Sequence, residues 1–220
     1  MFGPKSKILK VKQLPSDVKG LSYRPSISTE LDDYDAIQTY LPNCRPPAER
    51  INGNIDVIKS VLIAMSDSCQ GIVEIGVVYP SRKSDSNTST EIFLANKLDS
   101  TPYLGIDLSD NTHIDNESKR VHTIMCSSFE QEKVREKIKE IGMEKISILM
   151  IDGLHSINAV INDWEYSDLL AENGVVIFHD TNFHPGPVSV VDALDESLYK
   201  VIKFFNDRND DYGITVVRKK

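Results

Sequence analysis

The chain has 220 residues, of which 40% are hydrophobic and 26% are charged, as is typical of a single globular domain with a short extension. The net charge of −8 argues against a nucleic-acid partner, because phosphate binding requires clustered Lys and Arg side chains. The odd number of cysteines excludes a complete disulfide framework, and no apolar run has the length of a signal peptide or a membrane helix. We therefore expect a soluble, cytoplasmic protein with a small-molecule partner and no membrane partner.

Residues 1–50 differ in composition from the rest of the chain. They contain six prolines and an acidic patch at residues 30–35, which predicts a loop-rich arm with one short helix near residues 28–40. The arm is either an extension packed against the main domain or a lid over the substrate, and we favour packing. Residues 51–220 form the main predicted domain.

From residue 51 onward, segments with helical periodicity alternate with short apolar runs typical of buried strands. Helices are predicted at about 52–67, 90–98, 129–141, 157–171 and 187–198, with Asn173-Gly174 as the stop after the fourth. Strands are predicted at 71–76, 103–107, 121–125, 146–151, 175–178, 201–205 and 212–217. This alternation predicts an α/β fold, doubly wound and Rossmann-like, with a mainly parallel sheet covered on both faces. The last two strands, separated by the turn-rich residues 206–211, predict a C-terminal antiparallel hairpin at one edge.

Polar residues or glycine end four of the predicted strands. These residues are Glu74 with Gly76, Asp107, Asp152, and His179 with Asp180. Ligands of open α/β sheets bind outside the carboxyl ends of the strands, and a carboxylate at such a place is costly unless it has a partner. We therefore expect these residues to share one pocket.

The first two strand ends are typical of a nucleoside site. Gly76 allows the backbone to approach a ligand closely, and Asp107 is placed to accept hydrogen bonds from ribose hydroxyls. The alternative is that Gly76 marks a plain tight turn and that Asp107 is an exposed helix cap for residues 108–111. The Gly-x-Gly-x-x-Gly run of nicotinamide dehydrogenases does not follow Gly76, and the loop through residues 80–87 suits a cofactor without pyrophosphate.

Asp152, His179 and Asp180 predict a divalent metal site. Carboxylate oxygens suit Mg²⁺ or Mn²⁺, and an imidazole ligand shifts the preference towards Mn²⁺ or a softer ion. His155 follows Asp152 by three residues and could take a proton from a hydroxyl near neutral pH. The alternative is an ordinary strand-end pair at positions 179 and 180 without a metal, and a structural His155.

Taken together, residues 73–76, 105–107, 152–156 and 174–181 resemble the class I S-adenosylmethionine (SAM)-dependent methyltransferases. The narrower resemblance is to metal-dependent O-methyltransferases that include the macrocin and mycinamicin (sugar) O-methyltransferases, with cephalosporin hydroxylase as a relative. It covers residues 50–190, and residues 152–156 are the most discriminating part. The chain departs from the family in two places: residues 80–87 replace a glycine-rich segment, and His179 stands where an acid is common.

The resemblance implies a role for each candidate residue. It implies a cofactor-binding set, with the methionine and ribose end of SAM at Glu74 and Gly76, the ribose hydroxyls at Asp107 and the adenine near Ser127 or Ser128. The complete set is Glu74, Gly76, Ser89, Asp107, Ser127, Ser128 and Asp152. Asp152, His179 and Asp180 match the ligands of Mg²⁺ or Mn²⁺, and His155 matches the general base, so that Asp152 and His155 form the catalytic pair.

Family members methylate sugar hydroxyls, so the resemblance implies a sugar or glycan acceptor, with a catechol-like phenol as second choice. Two other functions remain open: a cephalosporin-hydroxylase-like enzyme on the same fold, and a non-catalytic SAM-binding subunit. The presence of Asp152 and His155 argues against the second. The oligomeric state is left open, with a homodimer as one option.

Overall fold

The computed structural model describes residues 17–25, 49–50, 53–77, 88–182, 184–205 and 212–220. Most of the predicted N-terminal arm, with its helix near 28–40, therefore lies outside the described residues, as do the loop 80–87 and the turn 206–211. None of the helices in the described ranges has the length and apolarity needed to cross a bilayer.

Eight strands within these ranges form one sheet. They are β1 (Glu49–Arg50), β2 (Ile72–Ile75), β3 (Tyr103–Asp107), β4 (Val121–Met125), β5 (Ile146–Ile151), β6 (Leu170–His179), β7 (Tyr199–Phe205) and β8 (Ile214–Lys219). Their order is β1-β7-β8-β6-β5-β2-β3-β4, and all neighbours are parallel except that β8 is antiparallel to both β6 and β7. The strand order reverses between β2 and β5, which places the ligand crevice at their carboxyl ends.

Five helices of the described chain cover the two faces of the sheet. They are α1 (Asn54–Met65), α2 (Ser89–Asn96), α3 (Gln131–Glu140), α4 (Ile157–Trp164) and α5 (Pro185–Ala193). Successive residues of a strand point to opposite faces, so Leu149 packs in one core with α3, α4 and α5, whereas Met150 packs in the other with α1 and α2. The predicted doubly wound, mainly parallel α/β fold is confirmed.

Three details of the prediction were wrong. The predicted helix at 157–171 ends early, because α4 stops at Trp164, a 3-10 turn follows at Glu165–Leu169, and β6 starts at once. Asn173, with a left-handed φ of 65°, lies inside β6. There the pairing with β5 changes from Ile146↔Leu170 to Ile148↔Val175, so the Asn173-Gly174 pair marks an irregularity in a strand instead of a helix end.

The other two differences concern α5 and the hairpin. α5 starts two residues before the predicted position, with Pro185 in its first turn, where its fixed φ is already suitable. It ends at Ala193, because Leu194 has an extended backbone. The β7–β8 pair is antiparallel as predicted, but β1 pairs with the outer side of β7 and is the edge strand instead.

Candidate functional site

The carboxyl ends of β2, β3, β4 and β5 open onto a cavity of about 210 Å³. It is lined by Ile75, Gly76, Ile106, Asp107, Leu108, Cys126, Ser127, Ser128, Asp152, Gly153 and Leu154. Five of the seven residues expected to bind a cofactor are thus brought together. The apolar walls from Leu108, Cys126 and Leu154 were missed. They lie within two residues of Asp107, Ser127 and Asp152, respectively, and could have been found from those positions.

Gly76 allows the end of β2 to lie close to the end of β5 at the point where the strand order reverses. Its φ is 88°, and a Cβ atom there would lie 2.0 Å from the carbonyl oxygen of Asp152. The Gly76 amide donates to Ile106 O at 2.9 Å, and the Asp152 amide donates to Ile75 O at 2.9 Å. Only glycine combines this left-handed backbone with such a close approach, so Gly76 permits the crevice to form.

Asp107 lies at the mouth of the same cavity, with its carboxylate held by backbone amides. Its Oδ2 accepts from Val77 N at 2.9 Å, and its Oδ1 accepts from Ser109 N at 2.7 Å. The side chain therefore caps the turn after its strand, but residues 108–111 do not form the helix that the alternative reading assumed. Each carboxylate oxygen has a second lone pair, so this capping leaves room to accept ribose hydroxyls as well.

Glu74 and Ser89 lie apart from this cavity. The Glu74 carboxylate is fully buried and accepts hydrogen bonds from the hydroxyls of Ser89 and Tyr103. Burial raises the pKa of Glu74 to about 7, although these hydrogen bonds act in the opposite direction. In the part of the chain that the structure describes, Glu74 thus ties the start of α2 to β2 and β3 and does not line the cavity.

A second cavity, of about 220 Å³, lies on the other side of Asp152. Its described lining is Asn54, Ile55, Ile58, Thr88, Ser89, Asp152 and His179. The first turn of α2 forms one wall. There Thr88 Oγ1 accepts from Glu91 N at 3.2 Å, and Glu91 Oε2 accepts from Thr88 N at 3.2 Å. This capping box stabilises the helix start next to Asp152.

Asp152, His179 and Asp180 form the cluster that the sequence predicted. His179 Nδ1 lies 3.3 Å from Asp152 Oδ1 and 2.8 Å from Asp180 Oδ1. Asp180 has a left-handed backbone, with φ 59°, a conformation that Asp adopts more readily than most residues. The three candidate ligand atoms lie within 4.8 Å of one another.

The donor set fits a divalent cation. Neighbouring ligands about 2.1 Å from an octahedral ion are about 3 Å apart, which is close to the measured spacing around His179 Nδ1. Burial opposes the charged form of Asp180, but contacts with His155 and His179 outweigh burial and hold the pKa of this carboxyl well below its usual range. An ionised carboxylate is the oxygen donor that Mg²⁺ or Mn²⁺ requires.

His155 contacts the same two carboxylates as His179. Its Nε2 lies 2.7 Å from Asp180 Oδ2 and 3.9 Å from Asp152 Oδ1. Burial disfavours the charged imidazole, but the contacts with Asp152 and Asp180 outweigh burial and raise the pKa of His155 to about 9. The ring also stacks on His184, with centroids 4.0 Å apart and an interplanar angle of 15°.

Two residues near the cluster were missed by sequence reasoning. His184 follows Asp180 by four residues, and its Nε2 lies 3.8 Å from Asp180 Oδ2. A histidine so close to the predicted ligand could have been found from its spacing. Asn54, whose Nδ2 lies 3.2 Å from His179 Nε2, is 125 positions away in the chain, and no local pattern connects the two.

Comparison with known proteins agrees with the fold. Residues 87–181 match the family model of a methyltransferase domain, and no curated protein matches the chain. One similar structure is the MycE methyltransferase of the mycinamycin biosynthetic pathway, solved with Mg, S-adenosylhomocysteine (SAH) and mycinamycin VI. It has 13% sequence identity and a TM-score of 0.54, and the match covers 74% of this chain and 48% of that chain.

Two further solved structures are similar. A TDP-rhamnose 3'-O-methyltransferase of calicheamicin biosynthesis has 12% identity and a TM-score of 0.52, with 75% of this chain and 78% of that chain covered. An O-methyltransferase from Bacillus cereus in complex with SAH has 13% identity and a TM-score of 0.51, with 79% and 84% covered. The chain spans about half the length of MycE. At these identities the likeness shows a shared Rossmann-like fold alone. The match to the methyltransferase-domain model covers residues 87–181, which is less than half of the chain.

Proposed function

We propose that this protein transfers the methyl group of SAM to a hydroxyl oxygen of a sugar or glycan, assisted by a divalent cation. The observation that carries the proposal is the position of Asp152. It lines both cavities and also belongs to the cluster with His179 and Asp180. A cofactor that filled both cavities would therefore pass directly beside a bound cation.

The two cavities suit the two ends of SAM. The adenosine would occupy the first, with its ribose hydroxyls on Asp107 and its adenine between Leu108 and the Ser127-Ser128 backbone. The methionine would occupy the second. Its carboxylate would face the first turn of α2 near Ser89, where the helix dipole favours an anion, and its ammonium group would face Asp152.

Asp152, His179 and Asp180 would hold the cation. A bound cation lowers the pKa of a coordinated hydroxyl and fixes its direction of approach. The C–S bond of SAM would break as the C–O bond forms, SAH would leave, and His155 would take the hydroxyl proton. A group with a pKa of about 9 is mostly protonated at pH 7, so this role requires that the fields of Asp152 and Asp180 be partly neutralised, as a cation between them would do.

Two observations support a sugar acceptor. The solved structures with this fold include enzymes named for a mycinamycin pathway and for TDP-rhamnose. The net charge of −8 disfavours an RNA acceptor. A catechol-like phenol is the second choice, because two adjacent hydroxyls can both approach one cation.

The test is release of SAH with acceptor panels. The protein is incubated with SAM and Mn²⁺ or Mg²⁺ and with sugars, glycans and catechols, and mass spectrometry detects SAH together with a methylated acceptor. His155→Ala should abolish most turnover and leave SAM binding by calorimetry close to wild type. SAM binding without methylation of any acceptor would instead favour the SAM-binding subunit, and a hydroxylated product would favour the cephalosporin-hydroxylase-like alternative.

A matched pair of variants tests the cofactor site. Asp107→Ala removes the carboxylate that lines the first cavity, and Asp110→Ala removes an exposed carboxylate in the same loop. We expect SAM binding to weaken only for Asp107→Ala. Equal SAM affinities for the two variants would refute the assignment of Asp107 to the ribose.

A further inference from the structure

The side chain of Asn54 connects the start of α1 to the predicted metal cluster. Asn54 is the first residue of α1, and its Nδ2 lies 3.2 Å from Nε2 of His179. Its Oδ1 is buried and has no hydrogen-bond partner among the described residues. Val57, Ile58 and Leu62 bury the inner side of α1, so the position of Asn54 is set by a packed helix.

The two ring nitrogens of His179 face different groups. Nδ1 faces Asp152 and Asp180, whereas Nε2 faces Asn54. A nitrogen that binds a cation must present a lone pair, so the proton of the neutral ring then resides on the other nitrogen and needs an acceptor. For His179 bound through Nδ1, that acceptor must lie on the Asn54 side.

The Asn54 amide can provide this acceptor by a rotation of 180°. Such a rotation exchanges Oδ1 and Nδ2 with little change in shape. It places Oδ1, which has no partner among the described residues, against Nε2–H and so gives that proton an acceptor. The arrangement with Nδ2 towards Nε2 suits a ring whose proton is on Nδ1, and the rotated arrangement suits a ring that binds a cation.

We propose that Asn54 is a positioning residue that accepts Nε2–H of His179 through Oδ1 and so directs Nδ1 into the cation site formed with Asp152 and Asp180. This inference rests on the cation in the proposed function. The hydrogen bond from Nε2–H to Asn54 fixes the orientation of the neutral His179 ring, so that Nδ1 can bind the cation together with the two carboxylates. Groups that orient metal-binding histidines in this way typically contribute about 10–100-fold to metal affinity.

The test is a titration of the 220-residue chain with Mn²⁺ in the absence of SAM, monitored by the electron paramagnetic resonance signal of free Mn²⁺. Asn54→Ala removes the acceptor, and Asn54→Asp retains an oxygen at the same place. Ser60→Ala, at an exposed position of the same helix, is the control for changes in α1. Each substitution is also made in a His179→Ala background, and thermal melting checks that every variant is folded.

We expect Asn54→Ala to weaken Mn²⁺ binding about 10–100-fold, Asn54→Asp to preserve or strengthen it, and Ser60→Ala to leave it unchanged. In the His179→Ala background, Asn54→Ala should cause no further loss, because its effect passes through His179. Wild-type affinity in Asn54→Ala, or an equal loss with and without His179, overturns the inference. Absence of Mn²⁺ binding in the wild type removes the cation from the proposed function and this inference with it, and calorimetry with SAH then tests the cofactor site separately.

Discussion

Gly76→Ala is the substitution that tests most directly how the crevice is built. The added Cβ atom would lie 2.0 Å from the carbonyl oxygen of Asp152, and the backbone would remain at φ 88°. An ordinary contact requires more than 3 Å, so the end of β2 or of β5 must move by over 1 Å. Because Asp152 lines both cavities, this movement should reach the cofactor site and the cation cluster together.

The expected loss has two parts. A left-handed alanine costs about 1–2 kcal/mol, and forced overpacking costs about 1–3 kcal/mol, which together give about 2–5 kcal/mol in the free energy of unfolding. Gly142→Ala is the matched control, because its φ of 67° is also left-handed but the nearest atom to its Cβ is Arg120 Nη2 at 3.4 Å. Gly142→Ala should lose only the cost of the left-handed backbone, about 1–2 kcal/mol.

Urea unfolding measures both losses, and calorimetry measures SAM binding. We expect Gly76→Ala to be less stable than Gly142→Ala by about 1–3 kcal/mol and to bind SAM at least about tenfold more weakly, a change of about 1.4 kcal/mol. Gly142→Ala should bind SAM as the wild type does. Equal stability of the two variants, together with wild-type SAM affinity in Gly76→Ala, would show that neither stability nor SAM binding depends on the close contact between β2 and β5.

Three further predictions concern buried charges. Burial raises the pKa of Asp163 from 3.8 to about 7, so its contribution to stability is complete below pH 3.8 and is lost as the pH rises through 7. The side chain of Asp163→Asn cannot ionise. The free energy of unfolding of this variant, relative to that of the wild type, should therefore rise by about 4 kcal/mol when the pH is raised from 4 to 8. An equal difference between the two proteins at both pH values would contradict this prediction. Lys97 Nζ donates to the backbone carbonyls of Leu98, Thr101 and Lys119. Lys97→Met should therefore cost about 1–3 kcal/mol in urea unfolding, and a negligible loss would show that these carbonyls do not depend on Lys97. Mn²⁺ at about 100 times its Kd should stabilise the wild type by about 2.7 kcal/mol, and thermal melting should show no such gain for Asp180→Asn.

Local sequence was sufficient for most helices and strands. Largely apolar runs placed β3, β4 and β5 at their observed bounds, because buried parallel strands are rich in apolar residues. The prediction from local sequence failed at Asn173-Gly174, because the same pair of residues can end a helix in one context and form an irregularity in a strand in another. The pairing of β6 with β5 decides between them, and that pairing is not a local property.

The sequence by itself determined which residues end the strands and therefore which side chains gather at one edge of the sheet. Glu74 and Asp107 are both acids at strand ends, and only the tertiary structure shows that their environments differ. α2 covers Glu74 and removes it from solvent, whereas Asp107 stays at the mouth of the cavity. Only the tertiary structure brought Asn54 to His179, because contacts between residues far apart in the chain depend on how helices pack on the sheet and leave no periodic signal in the sequence.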